Sequence, residues 1–519
     1  MSISSNLGLC LRISFLKHIC FISLLFALIC SCSDHDISIG AGVVADPSVS
    51  LSDSRSSFQF VVENLPEYIA PRSVSISVEE LFYVTTELDY SETVNSFIFL
   101  SDLTSELQSI FENTNSDYPV SIHAHILCRD CSEYDSDTVI TKFPATLPDG
   151  FPSLTLSNWQ RQEYSSSDFS AHGNIHTLNQ HSDGQGIRLM FLGDGFSDRQ
   201  IASGYYEEVM QRAVDHFFSV PPFDQFKSLF DVWYMDAISE VEGCRRDATK
   251  DNPNRSAFRS WYGSGTKIGS DQDAVMQFVE PVLGKGYDGL FNSHIVVVLN
   301  STKHAGSTYL YWPNNFKSDF GEGWAFCYLP LAQDNEHLAR LIHHEANGHG
   351  FAKLGDEYFH DKNGDCPASA MKDYLTQSSL GWLKNIDIID YPDSIKWAYM
   401  LHDPEFVGLG TGIFEGGLTY SHGFYRPSDN SIMRNNQGIF NAPSAEAIWY
   451  RIHKLAYGDT WQYDAEAFRS WFLTEHGKNN ALSIPVITRT MTTGDDDASL
   501  HAPISGPCPW NASAETDIL

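Results

Sequence analysis

Basic residues are scarce in this sequence. Its 519 residues carry 33 Lys+Arg against 66 Asp+Glu, a formal net charge of -33. A phosphate backbone demands dense Lys and Arg, so the imbalance argues against a nucleic-acid partner. Cysteine is also sparse. Beyond the N-terminal segment and Cys32 there are only Cys128, Cys131, Cys244, Cys327, Cys366 and Cys508. One Cys-x-x-Cys pair and four scattered residues do not make a four-thiolate zinc framework. Cys128 and Cys131 have the spacing for a close disulfide in an oxidising compartment. They follow an alternating, strand-like stretch with no clear helix after it, which disfavours a thioredoxin-like redox role. No Gly-x-Ser-x-Gly elbow is present, and Gly193-Asp194-Gly195 lacks the third glycine of a dinucleotide fingerprint. Apolar residues, by contrast, make up 42% of the chain and aromatics 13%. That is enough for substantial cores and excludes wholesale disorder, and the length exceeds one small binding module.

The N-terminus reads as an export signal. Arg12 and Lys17 precede an apolar run from Ile19 to Cys30, too short to span a bilayer comfortably. The run ends in Ile29-Cys30-Ser31-Cys32. This resembles a bacterial lipoprotein signal, with cleavage after the small Ser31 and lipid on Cys32. Ser33 at the next position resembles outer-membrane sorting. Removal of residues 1–31 leaves 31 basic and 66 acidic residues, a net charge of -35. The expectation is a bacterial outer-membrane lipoprotein, facing the periplasm or the cell surface. Its membrane contact is through the N-terminal lipid only, with residues 32–45 as a flexible tether.

From Phe58 to about Phe151 the pattern is short and strand-like, as in Val74–Val78 and Tyr118–Ile126. The one helical stretch lies around Leu107–Phe111. This predicts a small β-sandwich within residues 46–160. A polar connector follows, from about Tyr164 to Gly186. The pattern then changes. Ile187–Leu192 and Ile295–Leu299 read as buried strands, and Asp198–Phe218 and the stretch from Leu338 onward read as helices. Alternating strands and helices predict an α/β catalytic domain over residues 161–519.

The chemistry concentrates in His343-His344-Glu345-Ala346-Asn347-Gly348-His349. A zinc-peptidase helix ordinarily places two histidines four apart on one face, with a glutamate base after the first. Here His344 and His349 are five apart, an offset of about 140° on a regular α-helix. A π-bulge returns them to one face, and Gly348 sits where such irregularity is easiest. We take His344 and His349 as metal ligands and Glu345 as general base. Glu345 and His349, four apart, form the competing ligand pair. A third ligand must follow the glycine-bearing turn. Asp356 is favoured, with Glu357 and His360 as alternatives or as partners that orient a ligand. Asp361–Asp365 offers oxygens for a structural Ca2+, although an exposed turn is the plainer reading. Met433, within Arg426–Arg434, can floor a metal site in a tight turn or simply pack. Tyr425 and Tyr358 can donate to an oxyanion, and Arg426 can meet a substrate carboxylate. Structural roles are the plainer alternative for all three.

These motifs together resemble the M64 metallopeptidase family, the family of bacterial IgA peptidase. The resemblance runs from Gly193-Asp194-Gly195-Phe196 and Pro222-Phe223 through His344–His349 and Leu354–Tyr358. It ends with Tyr425–Ser428 and Ser431–Arg434. It implies a metzincin-like zinc peptidase with a methionine turn at Met433 and a separate front domain. Its paired histidines align with His344 and His349, its glutamate with Glu345, and its third ligand most nearly with Asp356. The extra residue between the histidines is a departure, although the dipeptidyl peptidase III zinc motif resembles it. The expected activity is hydrolysis of peptide bonds in peptide or protein substrates by Glu345-assisted, zinc-bound water. The alternatives are an inactive surface lipoprotein that binds protein or glycan, and a zinc amidase acting on peptidoglycan.

Overall fold

The computed structural model describes residues 57–481 and 504–507, apart from 81, 89, 91–92, 103–118, 143–152, 314–317, 332–333 and 437. The export signal, Cys32, the tether, the helix expected around Leu107–Phe111 and Cys508 lie outside the described residues.

The described residues of the front region form strands and their connections. Strands β1 (Ser57–Val62), β4 (Phe97–Asp102) and β8 (Ser153–Leu156) make one sheet, in the order β4-β1-β8. Strands β2 (Pro71–Val78), β3 (Phe82–Glu87), β5 (Pro119–Cys128), β6 (Glu133–Asp135) and β9 (Gln160–Arg161) make a second, ordered β3-β2-β5-β6-β9, with β7 (Val139–Lys142) also paired to β5. The cause is period-two patterning. Along β5, Val120, Ile122, Ala124, Ile126 and Cys128 are buried on one face. They share a single core with Phe60 and Phe99 of the other sheet. Cys128 and Cys131 are free thiols. The front region is fastened to the α/β region by Arg199, which pairs with Glu133 on β6 and with the buried Glu242.

The α/β region is built on a seven-stranded sheet. Its members are β10 (Ile175–Asn179), β11 (Ile187–Asp194), β12 (Phe230–Met235), β15 (His294–Leu299), β16 (Ser307–Trp312), β17 (Trp324–Pro330) and β20 (Ile504–Pro507). They are ordered β10-β12-β11-β15-β17-β16-β20. The four central strands run parallel, and β16 turns antiparallel to β17. The strands alternate between two cores. Leu189, Phe191, Val296 and Val298 face the Tyr205–Phe217 and Ala442–Tyr457 helices. Met190, Leu192, Ile295 and Val297 face the Gln272–Leu283 helix. Burial on both faces explains why β15 reads as an unbroken apolar run.

Two expectations are modified. The polar connector contains β10, an edge strand antiparallel to β12. The helix expected over Asp198–Phe218 is two, Asp198–Ala202 and Tyr205–Phe217. Between them Gly204 adopts φ +83°, a conformation open to glycine at little cost. Beyond the sheet, β18 (Phe414–Gly417) and β19 (Tyr420–Arg426) pair antiparallel. Together with Tyr374 and Trp382, Phe424 of β19 packs onto Leu310 and Trp312 of β16. A separate short ladder joins β13 (Trp261–Tyr262) to β14 (Ile268–Gly269).

Candidate metal centre

The helix that begins at Asn335 continues as a π-helix over Ile342–Phe351. The one extra residue between His344 and His349 therefore produces a ten-residue π segment instead of a single bulge. Bonding from i to i+5 brings residues five apart back over one another. The segment is held from several sides. Asn347 Nδ2 donates to the carbonyl of Phe217 at 2.9 Å. A Cβ on Gly350 would meet His294 and Cys327 of the sheet at 2.2 and 2.4 Å, so only glycine lets the helix lie this close. A Cβ on Gly348 would lie 2.2 Å from Met433 Sδ. Met433 is fully buried, and its thioether packs directly against the helix that carries both histidines.

Three ligand-type atoms converge there. His344 Nε2 and His349 Nε2 are 3.1 Å apart. Asp356 Oδ1 lies 3.2 Å from the first and 3.1 Å from the second. All three residues are buried, and among the described residues they are the one His/Cys/Asp/Glu group that can hold a metal ion. The far ring nitrogens are committed. His344 Nδ1 donates to Ile432 O at 3.0 Å and His349 Nδ1 to Leu354 O at 2.8 Å. Those bonds select the tautomer whose Nε2 carries a lone pair. Two imidazole nitrogens and a carboxylate oxygen thus meet in a dry site, where a metal cation would take the place of the proton that His349 otherwise shares with Asp356. Tetrahedral zinc with bonds of 2.0–2.1 Å sets ligand separations near about 3.3 Å, so the trio fits with little movement.

Glu345 adjoins the trio. Thr308 Oγ1, on β16, donates to its Oε2 at 2.6 Å, while the buried Oε1 has no hydrogen-bond partner. Burial raises the Glu345 pKa, partly offset by His349, His344 and Thr308. Burial alone would neutralise His349. The Asp356 carboxylate outweighs it and holds that imidazole up at about 9. Asp356, despite burial, is held down at about 2 by the same histidines. This ion pair gives the metal-free chain a pH signature. His349 contributes stability that is complete below pH 6.5 and is lost as pH rises through about 9. Asp356 contributes stability present above pH 3.8 and lost as pH falls through about 2. The melting temperature of the metal-free protein, measured relative to metal-free Asp356→Asn, should therefore fall between pH 6.5 and 9. A difference that does not change across this window would contradict the pairing.

Glu357 and His360 stand outside the trio. Glu357 is fully buried and accepts from Asn385, Ser431 and Asn441 at 2.7–2.8 Å, and its own N–H donates to Met433 O at 2.8 Å. It ties the residue after Asp356 to the backbone of Met433. His360 is half-buried, its ring 5.6 Å from that of Tyr358. Asp361–Asn363 forms a single 3-10 turn in which Asp361 and Lys362 are exposed. Tyr358 is buried, close enough to Asp356 and Glu345 to feel their charges. Burial, reinforced by their charges, keeps its phenol protonated. Tyr425 instead faces Asp390 and Glu415. Arg426 donates to the carbonyls of Glu415 and Gly416 and lies over the rings of Phe359 and Phe414. His343 turns away, bonded to His216 O and Ser219. Sequence reasoning missed Thr308, Asn385 and Asn441. Only Asn441 had a local signal, since Asn followed by Ala-Pro-Ser marks a helix N-cap, and Asn441 caps the Ala442–Tyr457 helix.

Contact between Gly348 and Met433 predicts strong coupling. Gly348→Ala should lower stability by about 1–3 kcal/mol. Shortening Met433 to Ala in the same chain should recover part of that loss, because the added methyl then has room. Strictly additive losses in a thermal double-mutant cycle would rule the contact out.

No match among curated proteins reaches significance. A family model described as IgA Peptidase M64 matches residues 176–406, from β10 to the Pro404–Gly408 helix. The match includes the π-helix and Asp356 and stops short of Met433. An M64-family, IgA-peptidase-like domain is therefore present, and the His344–His349–Asp356 cluster lies within it.

Proposed function

We propose that the chain is a zinc-dependent peptidase with a front β-sandwich (residues 46–160) and a metzincin-like catalytic domain (161–519). The observation that carries this reading is the convergence of His344, His349 and Asp356 beside a buried, half-partnered Glu345 in an M64-type domain. Zinc bound by these three residues would supply a Lewis acid and acidify a water molecule. Glu345 does the proton work. Thr308 occupies one of its oxygens, which leaves Oε1 to accept the proton of the attacking water and return it to the leaving amine. The burial that raises its pKa brings acceptance and donation closer in energy. Tyr358, buried and kept protonated beside Asp356, is the better placed of the two tyrosines to donate to the oxyanion. Glu357 holds the methionine turn in place and is not spent on the metal. Lipid attachment at Cys32 and an outer-membrane location belong to the same proposal and rest on the N-terminal motif. No helix among the described residues is long and apolar enough to cross a membrane.

The test pairs metal analysis with a substrate panel. Purified protein should hold about one zinc per chain and cleave members of an unstructured peptide library. Cleavage of muropeptides alone would favour the amidase. An intact fold that takes up no metal would leave only a binding role.

A further inference from the structure

β16 is the antiparallel outer member of the catalytic sheet on the side of Thr308 and Glu345. Such an edge offers unpaired N–H and C=O groups to any extended chain, and it is where a peptide would be added as a further strand. Here that edge is taken. Residues Ile504–Pro507 lie on it as β20, parallel to β16, with Ile504 opposite Tyr309, Ser505 opposite Leu310, Gly506 opposite Tyr311 and Pro507 opposite Trp312. The paired stretch begins one residue after Thr308, whose hydroxyl holds the Glu345 carboxylate. The occupant is a weak strand by construction. It has four residues, it runs in the less stable parallel sense, and it contains a glycine and a proline that lacks an N–H. It is also part of the same chain, joined to the Ala465–Ala481 helix through residues 482–503. Covalent connection gives even a poor strand a high effective concentration.

We propose that β20 is a built-in competitor, seated on the β16 edge that an extended peptide substrate must use and displaced when such a peptide binds. The proposal rests on the peptidase reading for its consequence, not for the seating itself. A substrate able to pair antiparallel over more residues outcompetes β20. A folded or short peptide does not. The device therefore selects long, unstructured segments over short peptides.

The test uses the full-length, zinc-loaded chain carrying Glu345→Gln, so that binding is read without turnover. A fluorescein-labelled unstructured peptide is titrated by anisotropy against this chain and against the same chain with Ser505→Pro, which removes a strand N–H and disfavours the pairing. The Ser505→Pro chain should bind the peptide about threefold or more tighter, and its Tyr309–Trp312 amides should exchange faster in the absence of peptide. A second chain ending at Ala481 should match it, and a synthetic peptide of residues 500–510 should compete with the labelled peptide for that shortened chain. Equal affinity in all three chains overturns the proposal. So does unchanged amide exchange along β16. Neither result touches the hydrolase reading, which is decided separately by zinc content and turnover of the unsubstituted chain.

Discussion

Glu345→Gln is expected to keep one bound metal per chain and to lose peptide hydrolysis by about 10²–10⁴-fold, the usual worth of a general base. The substitution preserves shape. Gln retains an acceptor for Thr308, so the β16 contact survives. What disappears is the proton acceptor at the position of Oε1, which is buried and has no hydrogen-bond partner. Because Glu345 is not in the ligand trio, metal content should be unchanged. The loss should fall on kcat with KM nearly constant, since the lost interaction acts on the transition state and not on the bound peptide. Two results would count against this. Loss of metal together with activity would make Glu345 a ligand, as in the competing Glu345–His349 pairing. Full retained activity would remove it from the mechanism. Metal analysis and steady-state kinetics on the same preparation separate these outcomes.

Glu357→Ala is expected to have the largest effect on metal retention of any substitution outside the ligands. Its carboxylate is the common acceptor for Asn385, Ser431 and Asn441, drawn from three distant segments. Removing it strands buried donors, each at a cost of about 1–3 kcal/mol. The damage is directional. Ser431 precedes Ile432, whose carbonyl orients His344, and Met433, which packs under Gly348. Asn385 grips both the N–H and the carbonyl of Gly355, next to Asp356. Slackening this hub should weaken zinc binding by about 10–100-fold, the range for partners that orient metal ligands. Glu357→Gln, which keeps the volume and one acceptor, should recover most of the affinity. Competition with a chromophoric chelator measures both. Zinc affinity unchanged in Glu357→Ala, with only the melting temperature lowered, would reduce the hub to general stability.

Several parts of this arrangement were legible in the order of residues because local physics decides them. A five-residue spacing cannot put two histidines on one face of an α-helix, so His344 and His349 announced a π distortion before any neighbour was known. Ile295–Leu299 had to be buried on both faces, since five consecutive large apolar residues leave no solvent side. The helix break at Gly204 was harder to foresee, because an isolated glycine is tolerated in many helices.

The sequence by itself determined the alternating cores of the two regions, the paired histidines with their adjacent carboxylate, and the expectation of a third group beyond a glycine-bearing turn. Tertiary structure alone decided which group completes the trio. Asp356, Glu357 and His360 differ little in local signal. Their directions are set by partners far along the chain: Asn385 at Gly355, Ser431 and Asn441 at Glu357, and Thr419 at His360. The same holds for Thr308, 37 residues from Glu345. Side chains on irregular backbone take their aim from whatever packs against them. No periodicity encodes that aim, and so it became visible only once the chain had closed on itself.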